Sequence, residues 1–167
     1  MTEPTEPGLK GGGQLLAVLG VAFLISIAIG VGYALSVLPE ISAQRMVGNE
    51  AAAIHNLVQI SAAQSLYRET ADSNNPLRFG DLEELEASRL LEVGFVGRAK
   101  QGYVFEVKPG ADPTRRWWAK ASPRFPGKTG RRYYFVDQGG LVYVSEADFA
   151  LPPPASGLPS GLEPIGQ

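Results

Sequence analysis

The feature that most constrains this chain is an uncharged apolar run from Leu15 to Leu38. The run is 24 residues long. At about 1.5 Å per residue, a helix of that length spans roughly 36 Å, which is enough to cross a bilayer. A helix-patterned segment from Ile41 to Thr70 follows the run without a turn signal. The sequence therefore predicts a transmembrane helix over residues 15–38 that continues into a long amphipathic helix.

The apolar run has the properties of an anchor rather than of a cleaved secretory signal. Such signals have an apolar core of about 7 to 15 residues behind a basic region. Here the core is longer and only Lys10 precedes it. We therefore expect an uncleaved anchor. Small residues at Ala34 and Ser36 are compatible with cleavage, so a processed signal is the alternative.

The rest of the chain divides into a lead, one small domain and a tail. Residues 1–14 are polar and rich in Gly and Pro, and we expect a short disordered cytoplasmic lead. Residues 151–167 contain little that could be buried, so they are expected to form a disordered Pro/Gly-rich tail. Residues 39–150 are long enough for one small domain.

Few residues in this chain are suited to catalysis or metal binding. It contains no cysteine, which excludes disulfides, thiolate metal sites and cysteine nucleophiles. His55 is the single histidine and is expected to be a solvated helix residue. Glu83, Glu84 and Glu86 could supply an acid–base pair, but a solvated helix face is the preferred interpretation. We therefore predict a protein that is not an enzyme, with no catalytic residue, cofactor or metal.

The segment from Ile41 to Thr70 has the period of an amphipathic helix. Small and apolar residues recur on one predicted face: Val47, Ala51, Ile54, Leu57, Val58, Ser61 and Ser65. Polar residues fall on the far side: Arg45, Asn49, Asn56 and Gln59. This pattern predicts that the small-residue face packs against a sheet or another helix.

The second half of the domain has the patterns of a short helix and four strands. Asp81 and Glu84 form a capping-box pattern before a predicted helix over residues 82–91. The strand candidates alternate or flank a Gly139-Gly140 turn signal, and they are Tyr103–Lys108, Trp117–Ser122, Arg132–Asp137 and Leu141–Ser145. The predicted fold is α+β, with the long helix packed on a small antiparallel sheet of about four strands.

Charge is distributed unevenly, and the basic half is the sharpest functional signal. Residues 97–136 contain ten basic and two acidic residues, a net of +8, whereas residues 40–92 have a net of -5. Adjacent strand residues point to opposite faces, so one ring of Trp117-Trp118 is expected to face outward. The candidate anion- or partner-binding residues are Arg115, Arg116, Trp118, Lys120, Arg124, Lys128, Arg131 and Arg132.

Three interpretations of the basic residues remain open. Arginines beside exposed aromatics suit phosphate backbones and stacked bases, so DNA or another anionic polymer is one candidate partner. Charged side chains on strands and loops also protect sheet edges from aggregation. The basic residues could instead meet the acidic stretch around residues 83–92, within one subunit or between subunits.

An ordered series of segments resembles type IV pilins and pseudopilins over about residues 15 to 146. The segments are Pro39, Arg45-Met46, Asn49–Ile54, Ile60–Tyr67, Phe79–Leu82 with Leu85, Lys100–Phe105, Pro126–Arg131, and Tyr133–Asp137 with Gly140. The resemblance implies a pilin-like domain in a single-pass protein of the bacterial inner membrane. Its N-terminus would be cytoplasmic and its sheet extracytoplasmic. The implied role is structural or accessory in a type IV pilus or type II secretion-like assembly, with other pilin-like subunits or assembly components as partners.

The chain departs from that family at the processing site. Family members carry a glycine that a prepilin peptidase cleaves after, and a glutamate shortly beyond it that registers subunits in the filament. Counted back from Pro39, these positions fall at Ala17 and Ala22, and the first mature residue would be Val18. The resemblance therefore implies fold and topology, but it does not carry over processing or filament incorporation.

Overall fold

The long helix predicted from the sequence is the first element of the computed structural model. The structure describes residues 12–70, 77–151 and 158–165, and it leaves out the side chains of residues 12–18, 35 and 37–39. The elements are α1 (Gly12–Glu69), α2 (Leu82–Ala87), β1 (Ala99–Lys100), β2 (Tyr103–Pro109), β3 (Trp117–Pro123), β4 (Tyr133–Asp137), β5 (Val142–Ser145) and β6 (Glu163–Pro164). Most of the predicted lead, and residues 71–76 after the predicted amphipathic helix, lie outside the described residues.

The chain forms two compact units, Met1–Ser42 and Ala43–Gln167, and α1 contributes to both. In the first unit, nine large apolar side chains of α1 are between 47% and 69% exposed. They are Leu19, Val21, Phe23, Leu24, Ile25, Ile27, Ile29, Val31 and Tyr33. Within the part of the chain that the structure describes, no helix is long and apolar enough to cross a membrane.

The second unit confirms an α+β fold in which a helix packs on an antiparallel sheet. The strands follow chain order, β1-β2-β3-β4-β5-β6, and each neighbouring pair is antiparallel. All four predicted strands are present, but the prediction of about four was wrong because the sheet has six. The additional strands, β1 and β6, have two residues each, which is too short to produce an alternating pattern. Strand β6 lies in the Pro/Gly-rich tail.

Two local predictions are confirmed: the capping box at Asp81 and the glycine turn between β4 and β5. The Asp81 side chain accepts a hydrogen bond from the Glu84 backbone N–H at 2.9 Å, and the Glu84 side chain accepts one from the Asp81 N–H at 3.0 Å. The helix ends earlier than predicted, at Ala87, and Arg89 beyond it has a positive φ of 59°. Gly140 closes the β4–β5 turn with a φ of 74°, a conformation that glycine adopts without strain.

The core lies between α1 and one face of the sheet. Alternate residues of β2, β3 and β4 supply that face: Tyr103, Phe105, Val107, Trp117, Ala119, Ala121, Tyr134 and Val136. The helix contributes Ala53, Leu57 and Ile60, all essentially buried. Burying a large apolar side chain contributes about 1.5–3 kcal/mol, so this layer is the main source of stability.

The predicted orientation of the amphipathic helix was wrong. The buried face of α1 runs through Glu50, Ala53, Leu57, Ile60, Gln64 and Tyr67, at helical spacing. Asn56, predicted on the far side, is only 2% exposed, whereas Val47 and Val58 of the predicted packing face are exposed. The rotation differs because three polar residues on the buried side find hydrogen-bond partners in loops. The hydrophobic pattern of a helix contains no information about hydrogen-bond partners in distant loops.

The outer face of the sheet is also covered, contrary to expectation at Trp118. Both Trp117 and Trp118 are buried, and Trp118 is 3% exposed. Along this outer face, the chain after β5 places the Phe149 ring against the Phe135 ring at 6.1 Å between centroids. Asp148 and the Phe149 carbonyl oxygen both bind the Lys120 ammonium. Segments that follow β5 therefore bury outer-face residues that strand alternation alone would leave exposed.

Candidate functional site

A buried carboxylate fixes the rotation of α1 against the loop before β4. Glu50 is 6% exposed, and its Oε1 accepts a hydrogen bond from the Arg131 backbone N–H at 2.9 Å. Its Oε2 accepts bonds from Arg132 Nε at 2.9 Å and Nη2 at 2.5 Å. The buried face of α1 therefore carries an ion pair between the helix and the loop before β4.

Electrostatics favour the charged form of this carboxylate. Burial by itself raises the pKa of Glu50, but the backbone N–H of Arg131 and the guanidinium of Arg132 outweigh it, so the pKa lies below its ordinary value. The same pairing raises the pKa of Arg132. Glu50 therefore stays ionised, and its charge is satisfied within the domain.

Other polar side chains of α1 hold the helix in the same rotation. Asn49 Nδ2 donates to the Thr129 carbonyl oxygen at 2.8 Å. Asn56 Nδ2 donates to Gln101 Oε1 at 3.1 Å. Gln64 uses both ends of its amide on the Gly80 backbone, donating to the carbonyl oxygen at 2.7 Å and accepting from the N–H at 3.0 Å. These bonds satisfy buried polar groups, which would otherwise be costly.

With that rotation fixed, a second face of α1 remains largely exposed. We call it the free face of α1: Val47, Ala51, Ile54, Val58, Ala62 and Ser65, which follow one another at spacings of three and four residues. All are exposed except Ile54, which is half-buried against the hydrophobic core. Small residues at three of the six positions permit close approach of another helix. The small-residue face predicted from the sequence thus largely coincides with the free face of α1.

The structure distributes the eight predicted binding residues along the length of β3. Arg115 and Arg116 precede the strand, Trp118 and Lys120 lie within it, and the remaining four follow it: Arg124, Lys128, Arg131 and Arg132. A strand of seven residues spans about 23 Å. The two exposed groups therefore lie at opposite ends of β3 and do not form one continuous surface.

Several of these residues already have partners. Lys120 is buried and paired with Asp148 at 2.5 Å, and Arg132 is paired with Glu50. Arg115 lies 3.5 Å from Asp112. Arg116, Arg124, Lys128 and Arg131 take part in none of the ion pairs among residues 12–70, 77–151 and 158–165.

Of the residues considered for catalysis, His55 is exposed on α1, and Glu84 and Glu86 are bound by other groups of the fold. Glu84 pairs with Arg78, and Glu86 Oε1 accepts hydrogen bonds from three successive backbone N–H groups at 2.7–3.1 Å, beginning at Gly94. No group of three or more His, Cys, Asp or Glu that could hold a metal occurs among the residues described.

Sequence reasoning missed Glu50 as a docking residue. The signal that could have identified it is a lone acidic residue at helical spacing from Ala53, Leu57 and Ile60, which implies burial with a partner.

No family model, no curated protein and no solved structure matches this chain.

Proposed function

We propose that this chain is a membrane-anchored, pilin-like structural or accessory subunit of a type IV pilus or type II secretion-like assembly. Residues 15–38 anchor it in the bacterial inner membrane. The N-terminus is cytoplasmic and the sheet domain extracytoplasmic. Neighbouring subunits pack laterally along α1, and the domain is presented to other assembly components.

The observation that carries the proposal is the free face of α1. One side of the helix is buried against the sheet, whereas five of the six free-face residues are exposed and all six are small or apolar. Such a face is the natural contact for a second helix, because small side chains let two backbones approach closely.

The first unit supports the anchor. Its large apolar side chains are exposed on all sides of α1. A helix that is apolar all round is stable only in a protein core or in lipid. The uncharged run of 24 residues, from Leu15 to Leu38, matches the length of a membrane span. The ordered series of pilin-like segments supports the same layout.

Membrane extraction tests the anchor. In cells that express the full chain, we expect the protein in the membrane fraction, resistant to alkaline carbonate and released by detergent. A protease added outside the inner membrane should digest the domain and leave the N-terminal end protected. Recovery in the cytosolic fraction, or release by carbonate alone, would contradict the proposal.

Intact mass tests processing separately. Because the cleavage glycine and the registering glutamate are replaced at Ala17 and Ala22, we expect the full-length chain in membranes. A chain beginning near Val18 would show that a peptidase processes the altered site.

A further inference from the structure

Four cations at one end of the sheet remain without an acidic partner. Arg98, Arg124, Lys128 and Arg131 are exposed, and none belongs to the six ion pairs within the described parts of the chain. Arg98 and Arg124 line one cleft of about 480 Å³. The other residues that line this cleft are Gly97, Ala99 and Val104, so no carboxylate lines it.

Backbone hydrogen bonds hold the loop that carries three of these cations, residues 124–131. The Arg124 N–H donates to the Gly102 carbonyl oxygen at 2.9 Å, and the Gly127 N–H donates to the Gly130 carbonyl oxygen at 2.8 Å. Lys128 and Thr129 N–H groups both donate to the Phe125 carbonyl oxygen at 2.9 Å. A loop fixed in this way gives up little conformational entropy when it binds a ligand.

The same loop presents an aromatic ring. Phe125 is 54% exposed, and the Arg124 guanidinium lies over one face of its ring at 5.4 Å from the centroid. Guanidinium groups pair with phosphate oxygens, and exposed aromatic rings stack on nucleobases of any sequence. The loop therefore combines both elements of sequence-tolerant recognition of single strands.

We propose that the cleft between Arg98 and Arg124, with residues 124–131, binds single-stranded nucleic acid. The two arginines hold consecutive phosphates, Lys128 neutralises a neighbouring one, and a base stacks on Phe125. The site lies in the loops at one end of the sheet, rather than on the sheet surface, because Trp118 and Lys120 are buried there. This activity goes beyond membrane anchoring and lateral packing and does not depend on either.

Fluorescence anisotropy on the full chain in neutral detergent tests the site, with a labelled thymidine oligonucleotide as the probe. With three phosphate contacts, affinity should fall about 20- to 50-fold between about 50 and about 200 mM salt. No binding at micromolar protein in low salt would overturn the proposal.

Matched variants locate the site. The double change Arg98→Gln with Arg124→Gln should weaken binding at least tenfold and flatten the salt dependence. The control, Arg115→Gln with Arg116→Gln, removes the same charge at the other end of β3 and should leave affinity within about twofold of the wild type. Equal losses of affinity in the two double variants would show a general attraction to positive charge. That result would overturn the proposed site.

Phe125→Ala distinguishes nucleic acid from other polyanions. Loss of one stacked base predicts about a five- to 100-fold weaker affinity for the oligonucleotide. The same change should leave binding of a sulfated polysaccharide or of anionic lipid vesicles unchanged. If Phe125→Ala does not alter oligonucleotide binding, or if the polysaccharide or the vesicles bind as tightly, the assignment to single strands is wrong.

Discussion

Replacing Glu50 by glutamine tests the docking of α1 on the sheet. The change keeps the shape of the side chain and removes its charge. Four hydrogen bonds reach the Glu50 carboxylate, two from backbone N–H groups and two from the Arg132 guanidinium. Breaking a buried ion pair costs about 3–5 kcal/mol, but Arg132 retains 44% exposure, so water lowers that figure. We expect a loss of about 2–3 kcal/mol in the free energy of unfolding.

Urea denaturation of the full chain in detergent measures this loss, because buried Trp117 and Trp118 report unfolding through their fluorescence. The control is Glu69→Gln, a change on an exposed part of the same helix. A double-mutant cycle with Arg132→Gln should give a coupling energy of at least about 1 kcal/mol. If Glu50→Gln destabilises no more than Glu69→Gln, the docking role is refuted.

The pH dependence of stability gives a second readout of the same pair. The folded-state pKa of Glu50 is lowered from the ordinary value of 4.5, so its contribution is present above that value. It is lost as the pH falls through the lower, folded-state pKa. The difference in unfolding free energy between wild type and Glu50→Gln should therefore be largest near neutral pH and shrink in acid. A difference that does not change with pH would contradict the charge-based explanation.

Two further substitutions test the packing. Gly130→Ala places a Cβ 2.1 Å from the hydroxyl of buried Tyr103, so it should cost about 1–3 kcal/mol in thermal or urea unfolding, whereas Gly48→Ala meets nothing within 4 Å and should stabilise α1 by up to about 1 kcal/mol. Equal changes in stability for the two variants would contradict the close approach of Gly130 to Tyr103. Gln64→Leu leaves two buried backbone groups without partners and should cost about 1–3 kcal/mol, while exposed Gln59→Leu should stay within about 0.5 kcal/mol.

Local patterns were sufficient for most of the architecture. Alternation along β2, the glycine turn after Asp137 and the capping box at Asp81 each depend on neighbouring residues, and each appears in the structure. The length of α1 was also evident from its unbroken helical pattern. These signals are local, so a sequence contains them in full.

The rotation of α1 and the burial of the outer sheet depend on distant residues. Asn56 and Gln64 are buried because loops far along the chain offer them hydrogen bonds. Lys120 is buried because Asp148, 28 residues away, neutralises it. None of these three pairings leaves a periodic pattern in the sequence. Basic residues that are close in the sequence are separated in space by the length of β3.

Cysteine cross-linking along α1 tests the central claim, which is that neighbouring subunits pack through the free face. The chain has no cysteine, so each introduced thiol reports alone. Val58 lies on the free face, and Gln59 is also exposed, about 100° around the helix. In native membranes with oxidant, Val58→Cys should form disulfide-linked dimers and Gln59→Cys should stay monomeric. Equal dimer yields at both positions, or no dimer at Val58→Cys, would contradict the account.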